Sequence, residues 1–170
     1  MRTYIYIFIL FAAFGCRRET SHTLKIREFS GNGYLNRTTK GVLATRRTRD
    51  SIIYVYSSDT LNYDYIFTKL KSEDRRLLYN NLDLLFIDSK ILLIRGSKIK
   101  IDRFEFPEPT IPDGDASIYF VDNSGVISIV SDSGTNTILF DKGGQLDKDI
   151  FAELEKDTTG FYRYPPPRRQ

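Results

Sequence analysis

The chain of 170 residues has one Cys (Cys16), one His (His22), one Met and no Trp. These counts exclude a multi-His metal site, a Cys-rich zinc site and an intrachain disulfide. Serines are plentiful, but no G-x-S-x-G elbow occurs. The one imidazole follows Cys16 by six residues in a polar stretch, Arg17 to Thr23 (RRETSHT), so it reads as a linker residue without the preorganisation that catalysis needs. Asp113, Asp115, Asp122, Asp132 and Asp141 all stand near glycines. None of these segments has the alternating ligands and terminal Glu of an EF-hand, and hairpin turns account for them. Gly143-Gly144 lacks the spacing and the Lys-Ser/Thr of a phosphate-binding loop. A carboxylate pair for glycoside hydrolysis has no sequence signature. The composition therefore points away from an enzyme, and neither a metal nor a non-covalent cofactor is expected.

What remains are the aromatic residues, 11 Tyr and 12 Phe, with Tyr54, Tyr56, Tyr63, Tyr65 and Phe67 alternating in strand period. Two readings are open. The alternation makes either an exposed binding face that stacks on a glycan or packs on a protein, or cross-strand pairs inside a sheet.

The N-terminus carries an address. Arg2 supplies a positive start, and Thr3 to Phe14 (TYIYIFILFAAF) is an apolar run of twelve residues ending at Gly15. About 20 apolar residues are needed to span a bilayer, so the run is an export signal and not a membrane helix. The segment Ala13-Phe14-Gly15-Cys16 resembles the bacterial lipoprotein signal peptide with its lipobox, in a loose form similar to that of Bacteroidetes lipoproteins. The resemblance implies cleavage between Gly15 and Cys16, a diacylglycerol on the Cys16 thiol and an acyl chain on the new N-terminus. Each buried methylene contributes about 0.8 kcal/mol, so several chains make the anchor effectively permanent. In that class an Asp after the Cys retains the protein at the inner membrane; Arg17 stands here, which implies the periplasmic side of the outer membrane. Inner membrane, cell surface and, without acylation, soluble periplasm are the alternatives.

Charge is distributed unevenly. From Arg17 to Asp50 nine Lys or Arg stand against three acids, whereas Ser51 onward holds fifteen bases against nineteen acids. The basic segment next to the anchor suits anionic headgroups, at about 1 kcal/mol per residue near the surface; a solvated tether and loop is the alternative. An exported chain without a recognition motif gives no reason to expect nucleic acid.

The elements that must position these residues are mostly strands. Leu24 to Phe29, Val42 to Thr45 and Ile52 to Tyr56 have strand pattern. Ser72-Glu73-Asp74 predicts a helix start leading through Leu77, Leu78 and Leu82. Leu84 to Ile87, Ile91 to Ile94 and Lys98 to Ile101 read as a meander with turns at Asp88-Ser89-Lys90 and Arg95-Gly96-Ser97. Ile99 and Ile101 are out of phase with Phe104 and Phe106, which predicts a bulge near Asp102-Arg103. Pro107 to Asp115 is a crossing loop. Ser117 to Val121, Val126 to Val130 and Thr137 to Phe140 follow as strands, with a type I turn expected at Asp122 to Gly125, and a helix covers about Leu146 to Lys156.

The expected fold class is mainly β, an antiparallel sheet or sandwich with one or two short helices. The expected organisation is a signal peptide over 1–15, a tether over 16–23, one domain over 24–160 and a Pro/Arg-rich tail over 161–170. The expected function is a lipid-anchored envelope protein that binds a protein or glycan without catalysis. An inhibitor or immunity-type lipoprotein, which would present an acidic exposed patch, and a small carboxylate-dependent hydrolase are the alternatives.

Overall fold

The computed structural model describes residues 18–30, 33–60, 64–107, 116–131 and 136–162. The signal segment with Gly15 and Cys16, Tyr63, Asp113, Asp115, Asp132 and most of the tail lie outside the described residues. The fold is mainly β, as expected: the described residues form one antiparallel sheet of eleven strands and one helix.

The strands are β1 (Arg18–Ser30), β2 (Leu35–Arg47), β3 (Ser51–Ser57), β4 (Tyr65–Leu70), β5 (Leu77–Tyr79), β6 (Leu82–Asp83), β7 (Leu85–Ile94), β8 (Ser97–Glu105), β9 (Ala116–Val121), β10 (Gly125–Ser131) and β11 (Asn136–Asp141). Helix α1 spans Gln145–Leu154. The spatial order β6-β5-β4-β3-β2-β1-β11-β10-β9-β8-β7 joins two meanders through the first and last strands. The two edge strands, β6 and β7, are consecutive in the chain with only Leu84 between them, so the sheet curls until its edges nearly meet.

An inner face and a partly covered outer face follow from the alternation of side chains along each strand. Inside, aromatic rings meet across the curl: Tyr54 packs on Phe120 at 5.7 Å, Tyr56 on Phe140 at 4.3 Å and Tyr79 on Phe106 at 5.5 Å between centroids. Outside, α1 lays Ile150 and Leu154 over Leu92, Ile94, Ile101, Tyr119, Val121, Ile127 and Val130, and Phe161 and Tyr162 complete that second core. The phase change along β8 thus has a different cause from a bulge at Asp102-Arg103. Ile101 faces the outer core and Phe104 the inner one, and both are fully buried. The register shift lies on β7 instead, between Phe86 and Asp88.

Other local expectations also change. Asp88-Ser89-Lys90 is no turn, because β7 runs through it unbroken. The segment after Ser72 is a loop followed by β5 and β6, not a helix; Lys69 Nζ donates to the carbonyls of Glu73 and Asp74 at 2.8 and 2.6 Å, and the Asp74 carboxylate pairs with Lys100 at 2.9 Å, so neither acid serves a helix N-terminus. Asn80 and Asn81, both at positive φ, make the tight β5–β6 turn instead. At Asp122 to Gly125, Asn123 has φ 62°, which a type I turn does not allow. Finally, Arg18 to Thr23 are not a tether: β1 pairs with β2 from Arg18↔Arg47 inward, so Arg18, two residues after Cys16, is already part of the sheet.

Candidate functional site

The aromatic residues proposed as an exposed face are core residues. Tyr54, Tyr56, Tyr65 and Phe67 are 1%, 0%, 8% and 0% exposed. The reason is register: Tyr54 lies opposite Phe67 and Tyr56 opposite Tyr65 on the inner face, where the closing sheet covers them. The cross-strand reading of the alternation holds for these four.

Among the described residues, an accessible polar site lies at the open end of the curl. Strand β1 extends past the end of β11, whose last paired residue, Asp141, lies opposite Lys25. Among the described residues, the first residues of β1 therefore have β2 on one side and no strand on the other. A cleft of about 260 Å³ opens there, lined by Thr20, His22, Thr23, Leu43, Thr45, Arg47, Asn123 and Lys142. Register explains the set: His22 lies opposite Leu43 and Thr20 opposite Thr45, with Arg47 two residues further along the same face of β2. Asn123 comes from the β9–β10 turn and Lys142 from the residue just after β11. His22, expected as a linker residue, is thus fixed on a strand.

The floor is buried and the rim is charged. Leu43 and Thr45 are buried, whereas His22, Arg47 and Asn123 are exposed. Arg47 donates to Asn123 Oδ1 at 3.4 Å, and Lys142 Nζ donates to the Ser124 carbonyl. Among the described residues neither cation has a carboxylate partner, whereas Arg27, Arg37 and Arg46 on the same two strands pair with Asp141, Glu28 and Glu19. Burial pulls the Lys142 ammonium below its ordinary range, and the charge of Asp147 only partly opposes this. Asp147 itself is pushed up by burial, although it accepts the Lys142 backbone N–H at 2.8 Å. Tyr54 lies opposite Thr45, and its buried hydroxyl has no hydrogen-bond partner among the described residues. Burial raises that phenol to about 12, with Arg47 pulling the other way.

Compared with known proteins, the chain matches no family model and no curated sequence. The site must therefore be read from its own chemistry. Among the described residues its wall presents two cations, an imidazole, three threonine hydroxyls and a side-chain amide, with no Asp or Glu. Such a wall can hold and orient a polar ligand, but it has no carboxylate pair or oriented nucleophile. Elsewhere, no group of three or more His, Cys, Asp or Glu among the described residues is placed to hold a metal. Two other polar clusters are structural. Ser89 donates to buried Asp102 at 2.6 Å across the β7–β8 pair, and Asp157 ties Lys90 to the backbone N–H groups of Thr159 and Tyr162. The sequence signal for the cleft is a polar alternation on two strands, Thr20-x-His22 and Thr45-x-Arg47, the first half of which falls in the stretch whose polarity reads as a tether.

Proposed function

We propose that this chain is a lipid-anchored envelope protein, held through Cys16 at the periplasmic face of the outer membrane, that works by binding a ligand at the open end of its curled sheet. The observation that carries the binding reading is the cleft itself, a preformed polar concavity at the mouth of an otherwise apolar β core, where small ligands commonly bind. Its wall favours binding over hydrolysis because it lacks the two carboxyl groups, about 5–9 Å apart, that a glycosidase needs.

Mass spectrometry of the mature N-terminus from membrane fractions of wild type and Cys16→Ala tests the anchor. A diacylated or triacylated Cys16, lost with the mutation, is expected. An unmodified N-terminus in the soluble fraction defeats the lipoprotein reading. Binding is tested separately by titrating candidate ligands into wild type and Thr45→Val, which fills the cleft floor with a methyl in place of a hydroxyl; a ligand indifferent to that change does not use the site.

A further inference from the structure

We infer that the cleft is an oxyanion site: it takes a phosphate-type group, either free, on a small soluble molecule, or as the headgroup of an anionic lipid. This deepens the binding reading above and rests on it. Four observations carry it. Arg47 and Lys142 converge on one concavity from different elements, β2 and the residue after β11. Both lack a carboxylate partner among the described residues, although neighbouring arginines on β1 and β2 have one. The rest of the polar wall, Thr20, Thr23, Thr45, His22 and Asn123, offers hydroxyl, imidazole and amide donors with no acid among them. Guanidinium and ammonium donors around an oxygen-rich anion make charge-assisted hydrogen bonds, about twice as strong as neutral ones. The volume, about 260 Å³, lies below the range of drug-sized ligand pockets. It suits a small anion or the anionic head of a larger molecule whose body stays outside.

A lipid source has a positional argument as well. β1 begins two residues after Cys16, and two residues reach at most about 7 Å. The cleft lies at that same end of β1, together with the β2–β3 turn, which carries Arg49 and is bound by Lys71 through the carbonyls of Thr48 and Arg49. An acylated Cys16 would hold the mouth beside the headgroups.

The test is calorimetric titration of the full chain in neutral maltoside detergent with sodium phosphate, with glycerol phosphate and with a short-chain phosphatidylglycerol, each against a sodium chloride blank. Saturable binding of at least one is expected, weakened about tenfold or more in Arg47→Gln and Lys142→Gln. Arg47→Lys should recover part of the affinity. Arg37→Gln, an exposed cation at the opposite end, should change nothing. Thermal melts of each variant confirm folding. Tighter binding of free phosphate or glycerol phosphate assigns a soluble source, and tighter binding of phosphatidylglycerol a headgroup; both uphold the oxyanion site. The inference is overturned if none of the three binds, or if binding survives Arg47→Gln and Lys142→Gln in folded protein. A neutral glycan that binds and is lost in Thr45→Val, with no response to the anions, overturns this inference while leaving the binding function intact.

Discussion

Two tyrosines two residues apart on β3 should respond oppositely to the same deletion of one oxygen. Tyr56 is fully buried, and its hydroxyl donates to the Val126 carbonyl on β10 at 2.9 Å, a bond that spans the interior of the curled sheet. Val126 is also fully buried, so water cannot replace the donor in Tyr56→Phe. Leaving a buried carbonyl without its partner costs about 1–3 kcal/mol. For a domain of about 150 residues each kcal/mol moves the melting temperature by about 2–4 °C, so Tyr56→Phe should melt several degrees lower. Tyr54 buries its hydroxyl without a partner among the described residues. Tyr54→Phe removes a desolvated polar group and keeps the ring on Phe120, so its stability should be unchanged or higher. Urea titration followed by circular dichroism measures both variants on one scale, and equal slopes would show that only stability has changed. Comparable destabilisation by the two substitutions would refute the reasoning, because it would mean that the Val126 bond contributes nothing specific to closing the sheet.

Three further outcomes follow from the packing. Gly125 sits at φ +84°, and a Cβ there would lie 2.5 Å from Tyr56 Oη and 2.7 Å from Tyr54 Cδ1; Gly125→Ala should destabilise by about 2 kcal/mol or more in the same urea assay through strain and overpacking combined. Burial works to raise the Asp157 carboxyl, but hydrogen bonds from Lys90, Thr159 and Tyr162 outweigh it and hold the group well below the usual carboxylate range. This stabilisation is present above the unfolded value near 3.8 and is lost as pH falls below it, so acid titration of Asp157→Asn should lack part of the wild-type loss of stability at low pH. Burial raises Tyr54 and Tyr162 from 10.0 to about 12, so their neutral forms favour the fold below pH 10 and that contribution is lost as pH rises from 10 through 12. Tyr162→Phe should therefore resist alkaline unfolding better than wild type, as read by circular dichroism across that window.

The strands that read clearly in the sequence are those whose local pattern and final environment agree. Ile52 to Tyr56 alternates because one face is core, and β9, β10 and β11 lie where their β-branched runs place them. Helix α1 also appears close to its expected span, with Ile150 and Leu154 buried on one stripe. The errors arise where distant partners decide. Ser72-Glu73-Asp74 has the local chemistry of a helix start, yet Lys69 and Lys100 claim those groups from β4 and β8. Ile101 and Phe104 seem out of phase only when a single core is assumed; β8 is covered on both faces because α1 packs outside the sheet while the curl closes inside. The cleft was the least visible feature, since it depends on β1 outrunning β11, and that is a matter of sheet register which no local window contains.

That register also fixes how an anchored domain would stand. With a long tether the mouth would turn freely, but Arg18 is already paired in β1, so the proposed acylation of Cys16 would hold the mouth against the bilayer surface. Ten Gly/Ser residues inserted between Arg17 and Arg18 would give a leash of about 17 Å root-mean-square length and free the mouth. Acylation occupies the only native thiol, so cysteines placed at Asn123 on the cleft rim or at Asn36 near the far end report accessibility directly. On vesicles carrying the acylated protein, a bulky maleimide should label Asn36→Cys readily and Asn123→Cys slowly, and the inserted leash should raise the second rate towards the first. Equal labelling of the two positions without the insertion would mean that the mouth does not face the membrane, and would leave a soluble anion as the remaining oxyanion source.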